Sequence, residues 1–188
     1  MVEKRKNKND ECYTLPYAIY PLFKYLKRFK SAKIWCPFDT DESNFVKILR
    51  ENGYTVINSH ISDGRDFFKY EPAEWDLIVS NPPFSNKRET FTRAMKFNKP
   101  FALLMSLDWL NDKAPFEIFG KELQLLMFDD RMVFDNQLQL KRIPFKAIYY
   151  CRGFLPNSLE WMHLQDKEEQ MSLWQNAQIS ERNQHDRH

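Results

Sequence analysis

Trp75-Asp76-Leu77-Ile78-Val79-Ser80-Asn81-Pro82-Pro83-Phe84 reads as a buried strand that stops at a Pro-Pro turn. Proline donates no backbone N–H, so neither proline extends a central strand, and the residue before each is held extended. The tip therefore presents the Asn81 carboxamide, the Pro82 carbonyl outside the ladder and the Phe84 ring in fixed positions. These groups suit a planar ligand that carries an exocyclic amine. An aromatic amine is a poor nucleophile because its lone pair is delocalised into the ring. Two acceptors, Asn81 oxygen and Pro82 carbonyl, each take one N–H and favour a pyramidal, more nucleophilic nitrogen, while Phe84 stacks on the ring. Such a site works by positioning and requires no general base of special pKa.

Around this stretch, apolar runs alternate with amphipathic ones, the pattern of an α/β fold with a largely parallel sheet. Thr14 to Phe29 reads as a helix with Ile19, Leu22, Phe23 and Leu26 on one face. Strands are expected at Lys33–Cys36, Thr55–Ile57, Trp75–Ser80, Phe101–Leu107, Leu123–Phe128 and Lys146–Cys151. Helices are expected at Glu42–Glu51, stopped by Asn52-Gly53, at Lys87–Phe97, and at Pro115–Gly120. Ser158 to about Ala177 reads as a further helix carrying Trp161, Met162, Leu164, Met171, Leu173 and Trp174.

The chain has 188 residues, enough for one domain with a full core. Its net charge of +2 does not by itself indicate nucleic acid. Cys12, Cys36 and Cys151 are too widely spaced for a metal cluster and form no even disulfide framework, which fits a reducing cytosol and no metal. No segment is apolar and long enough to span a membrane. The polar start, with Lys4, Arg5, Lys6 and Lys8, reads as a solvated arm over 1–12 rather than a signal peptide. The expected organisation is this arm, a catalytic domain over 13–155, and a C-terminal helix with a disordered tail over 156–188.

The Asn81-Pro82-Pro83-Phe84 tip resembles the Asp/Asn/Ser-Pro-Pro-Tyr/Phe motif of S-adenosylmethionine-dependent amino-methyltransferases, which act on adenine N6, cytosine N4, guanine N2 or a glutamine amide. The likeness extends over about residues 13–154. It includes Tyr13-Thr14-Leu15-Pro16 as the opening Thr-Pro-like segment and Asp66-Phe67 shortly before the catalytic strand. Order and spacing resemble the adenine-N6 DNA methyltransferases whose cofactor motifs precede the catalytic one, and small bacteriophage members look similar in layout. The resemblance implies a Rossmann-like class I methyltransferase fold with a mostly parallel seven-stranded sheet, S-adenosylmethionine as cofactor, DNA as substrate and a bacterial or phage-infected cytoplasm. It implies catalytic roles for Asn81, Pro82, Pro83 and Phe84. It places Thr14 near the methionine end of the cofactor, Asp66 on its adenine amine and Phe67 on its adenine ring.

The chain departs from that pattern after its first strand. Where a glycine-rich loop is expected, it reads Cys36-Pro37-Phe38-Asp39-Thr40-Asp41-Glu42-Ser43-Asn44, without glycine. Pro37 matches the acid-Pro version of the loop, but Cys36 stands where an acid is usual. Asp39 or Asp41 is then the candidate partner of the methionine ammonium, with the following helix N-terminus for its carboxylate; the alternative is that Asp39, Asp41 and Ser43 cap that helix. After the second strand, Asn58, Ser59 and His60 replace the acid expected for the ribose. A base in a duplex must be flipped or single-stranded to enter. No separate recognition domain is legible, so Lys87, Arg88, Lys141 and Arg142 are candidate phosphate contacts, and the loops Ser85–Glu89, Leu107–Pro115 and Arg131–Pro144 candidate recognition elements. A homodimer through the Trp-rich C-terminal helix is one source of extra surface; Trp161 and Trp174 packing back onto the sheet is the other reading. The acceptor stays open among DNA adenine, RNA guanine and protein glutamine, and a binding or inhibitory protein on a degenerate fold is the alternative from another class.

Overall fold

The computed structural model describes residues 13–132, 134–135, 140–141 and 146–164. The basic arm over 1–12, Arg142, and the expected helix and tail beyond 164, with Trp174, lie outside the described residues.

The chain opens with β1 (Tyr13–Thr14), α1 (Pro16–Ile19) and α2 (Phe23–Leu26). The expected continuous helix from Thr14 is therefore broken. Pro21 lacks the N–H an α-helix needs there, and a short 3-10 segment, Tyr20–Leu22, bridges the gap. The apolar face survives the break, since Ile19, Leu22 and Leu26 are all buried. Next come β2 (Lys33–Cys36), α3 (Asn44–Glu51), β3 (Thr55–Asn58), β4 (Leu77–Ser80), α4 (Lys87–Lys96) and β5 (Phe101–Ser106). Then follow α5 (Lys113–Phe119), β6 (Gln124–Phe128), β7 (Phe134–Asp135), β8 (Leu140–Lys141), β9 (Ala147–Arg152) and β10 (Leu159–Met162).

Helix α3 ends as Asn52-Gly53 predicts. Gly53 adopts φ 82°, its N–H bonds the Arg50 carbonyl at 2.9 Å, and the Tyr54 N–H bonds the Leu49 carbonyl at 3.1 Å. This is a Schellman closure, which turns the chain directly into β3.

Among the described residues the main sheet has seven strands in the order β10-β6-β9-β5-β4-β2-β3. It is mostly parallel; β9 runs antiparallel to both β5 and β6. Alternate residues of the central strands enter two cores. Ile34, Cys36, Leu77, Val79, Ala102 and Leu104 pack with the α1–α2 segment and α3 on one face. Trp35, Ile78, Phe101, Leu103 and Met105 pack with Phe91 of α4 and Phe119 of α5 on the other. Because both faces are covered, β4 and β5 carry nearly continuous apolar runs instead of alternating ones. Each large side chain so buried contributes about 1.5–3 kcal/mol against exposure.

Two further expectations are corrected. Leu159–Met162 is an edge strand parallel to β6, not the start of a helix. The local helical period of the apolar residues yields there to pairing with β6, and Leu159 and Trp161 alternate outward. Trp161 is 59 % exposed, so it does not pack back onto the sheet, and a dimer through a helix over this segment has no helix to use. The sheet thus includes residues beyond 155. The stretch expected as a recognition loop, Arg131–Pro144, carries β7 and β8, which join β1 in a separate antiparallel sheet of order β1-β7-β8. No helix of the described residues is long and apolar enough to cross a membrane.

Candidate functional site

Strand β2 pairs with β3 on one side and β4 on the other; the connection after β2 runs outward to β3, and the one after β4 runs the opposite way to β5. In open α/β sheets such a switch point leaves a crevice beyond the strand ends, where ligands bind. Here the crevice is a cavity of about 300 Å³. Pro37, Phe38, Asp39 and Thr40 after β2 line it, as do Ser43, Asn44 and Phe45 at the start of α3, His60 and Ile61 after β3, and Asn81, Pro82, Pro83, Phe84 and Asn86 after β4. Thr14, Asp66, Phe67 and Phe68 complete the wall. The size is at the lower end of the roughly 300–1,000 Å³ typical of small-molecule sites.

The tip of β4 forms as the prolines require. β4 ends at Ser80, Pro82 is buried just beyond the ladder, and Phe84 begins a 3-10 turn leading into α4. The Asn81 Nδ2 donates to Thr14 Oγ1 at 3.1 Å. Thr14 is itself anchored, since its carbonyl accepts from Asn44 Nδ2 at 2.8 Å. Thus the opening segment, the first residue of α3 and the tip of β4 meet at one wall of the cleft.

Asp39 and Asp41, equivalent in sequence terms, part company. Asp39 is 6 % exposed and lines the cleft, where its carboxylate accepts from the Ser80 hydroxyl. Burial pushes its carboxyl up from 3.8 to about 6, against the opposing pull of hydrogen bonds from Ser80 and Ser43. The groups acting on it are hydroxyls, with no cation among them. Asp41 points outward and pairs with Arg50 at 2.7 Å, which lowers its carboxyl. The cofactor-binding expectation for Asp41 is therefore corrected: it does not line the cleft, because the Arg50 guanidinium draws it to the outer face of α3. The capping alternative also fails. Ser43 makes no side-chain cap to α3; its Oγ instead accepts from Thr40 N at 3.1 Å.

Asp66 serves two purposes. One carboxylate oxygen accepts from Phe68 N at 3.0 Å and holds the turn, while the residue also lines the cleft. Phe67 is a core aromatic, with its centroid 4.7 Å from Phe38 and 5.5 Å from Trp35. The more accessible ring faces belong to Phe38 and Phe68, and Ile61, 68 % exposed, stands at the rim. Sequence reasoning missed these three. Of the residues standing where a ribose acid is expected, Asn58 accepts from Arg50 at 3.0 Å and Ser59 from Trp35 Nε1 at 2.9 Å, so both are committed to the scaffold. His60 lines the cleft, its Nδ1 accepting from Ser62 N at 3.2 Å.

Of the proposed phosphate contacts, Lys87 and Arg88 do not line the cleft. Arg88 pairs with Glu117 at 3.0 Å and Lys87 with Asp112 at 3.8 Å, tying α4 to α5. Lys141 belongs to β8. Among the described residues no cluster of His, Cys, Asp or Glu is set to hold a metal ion. No family model and no curated protein matches the chain.

Proposed function

We propose that this cleft binds S-adenosylmethionine and transfers its methyl group to the exocyclic N6 amine of adenine in DNA, on a class I methyltransferase-like sheet. The observation that carries the reading is the sharing of one cavity by a buried, cation-free acid, Asp39, and the Asn81-Pro82-Pro83-Phe84 tip. A carboxylate buried without a partner charge is costly, and a cationic ligand relieves that cost. The donor set therefore fits the cofactor: Asp39 for its ammonium, the first-turn amides of α3 for its carboxylate, and Phe38, Phe68 and Ile61 as apolar surfaces for its flat base.

When bound, the cofactor supplies an electrophilic methyl group. The chain's own residues hold the acceptor. Thr14 holds the nitrogen end of the Asn81 amide, which sets the orientation of its oxygen. That oxygen and the Pro82 carbonyl receive the two N–H groups of the amine, and Phe84 stacks on the base. Positioning of this kind supplies much of the rate in a direct transfer.

The test offers isotopically labelled S-adenosylmethionine with DNA, RNA and protein pools side by side. Label in DNA adenine, abolished by Asn81→Ala, supports the reading. Label in RNA guanine or protein glutamine moves the acceptor. Binding without transfer to any pool turns the reading into that of a binding protein on the same cleft.

A further inference from the structure

The cleft has two ends that the chemistry needs together, the acid after β2 and the amide after β4. One residue joins them without lining the cavity. Ser80 is fully buried, its hydroxyl donates to the Asp39 carboxylate, and its main chain runs straight into Asn81. Asn81 is also held from the other side: its Nδ2 donates to Thr14 Oγ1, and Asn44 Nδ2 donates to the Thr14 carbonyl. Asn44 follows Ser43, whose Oγ accepts from Thr40 N next to the acid.

Resting on the reading above, we propose that Ser80 is a positioning residue that transmits the charge state of Asp39 to the Asn81 carboxamide. An ionised carboxylate accepts the Ser80 O–H as a charge-assisted bond, roughly twice as strong as a neutral one. A protonated carboxyl gives that up. Ser80 is sealed from water, so no solvent molecule replaces its partner, and the loss is taken up at the strand tip. A cationic group entering the acid end keeps Asp39 ionised and thereby fixes the acceptor end. In this way occupancy of the donor site prepares Asn81 for the amine, and Ser80 does so without touching either ligand.

Asp39 is the group that changes charge here. Cys36 of β2 and Tyr149 of β9 face it, but burial pushes both the thiol and the phenol well up, so they stay neutral. Arg50 of α3 is engaged by Asp41 and Asn58, and Ser43 and Ser80 do not titrate. Across the cavity stand His60 and Asp66. Their contribution is separated by the Asp39→Asn variant.

The test follows the Asn81 side-chain amide signals and the Asp39 carboxyl carbon by NMR in the ligand-free protein, from about pH 5 to about pH 8. In the native chain both move together. In Ser80→Ala the Asn81 signals lose most of that movement while Asp39 still titrates, at higher pH because its anion has lost a donor. Ser80→Thr keeps a hydroxyl and restores the coupling; Asp39→Asn removes it. Asn81 signals that follow Asp39 equally in Ser80→Ala, or that do not follow it in the native chain, overturn the proposal. In the transfer assay near pH 8, where Asp39 is ionised in both proteins, Ser80→Ala lowers kcat about tenfold and leaves the KM for S-adenosylmethionine nearly unchanged. A native protein with no transfer activity defeats the functional reading, while the NMR titration still decides the Ser80 link.

Discussion

Asn81 and Thr14, separated by 67 positions in the chain, meet through a 3.1 Å hydrogen bond from the amide nitrogen to the hydroxyl. The contact depends on β1 crossing beside the tip of β4, where Asn44 holds the Thr14 carbonyl. It converts a flexible carboxamide into a fixed acceptor.

Replacing either partner separates contact from positioning. Asn81→Ala removes the proposed acceptor of the amine and is expected to lower transfer by at least about a thousandfold, the scale of a lost transition-state hydrogen-bonding group. Thr14→Val keeps that acceptor but frees its orientation, with kcat about tenfold lower and acceptor KM little changed. Steady-state transfer to DNA with both variants reads the difference. Equal losses in both would assign Thr14 a direct role.

Asp39 makes stability depend on pH in an unusual direction. Its carboxyl is raised from 3.8 to about 6, so between these values the folded state binds more protons than the unfolded state, and stability falls as pH rises. The penalty is complete above about pH 6, absent below about pH 4, and amounts to about 3 kcal/mol. Asp39→Asn should therefore stabilise the protein by up to that amount near pH 8 and by almost nothing near pH 4. Urea unfolding of both proteins at the two pH values checks the sign as well as the size.

Strands β2, β4 and β5 were legible because their apolar runs are bounded by Pro or charge, and the sheet buries them on both faces. The end of α3 was legible because Asn52-Gly53 carries its own closure. What escaped was set by distant partners. Leu159–Met162 has the apolar spacing of a helix, and only pairing with β6 makes it a strand. Asp39 and Asp41 lie two positions apart in one loop; Arg50 outside and Ser80 inside sort them. Phe67 and Phe68 are adjacent, and the sequence alone does not say which ring enters the core. Ile61 follows no periodic pattern, so nothing local marks it as part of a rim.

The Gly53 closure of α3 predicts a purely structural effect. A Cβ at this position meets nothing within 4 Å, so the cost of Gly53→Ala lies in the backbone, at φ 82°. Left-handed geometry costs a non-glycine residue about 1–2 kcal/mol. The variant should lose that much in denaturant unfolding and bind S-adenosylmethionine unchanged, because the closure lies at the far end of α3 from the cleft.

The two acids of the glycine-free loop give the sharpest division between a cofactor site and a mere turn. Asp39 is buried in the cleft wall without a cation, so a ligand ammonium there gains a charge partner in a medium that screens it poorly. Asp41 already has Arg50 and faces solvent, where an ion pair contributes little. Calorimetric titration with S-adenosylmethionine near neutral pH should therefore show Asp39→Asn weakening binding by more than about tenfold, or about 1.4 kcal/mol. Asp41→Asn should change it by less than about threefold. Native affinity should itself weaken as pH falls through about 6, because the proton competes with the ligand cation for one carboxylate. In Asp39→Asn that dependence disappears. Equal, small effects of both substitutions would mean that the ligand ammonium, if bound at all, is held elsewhere in the cleft.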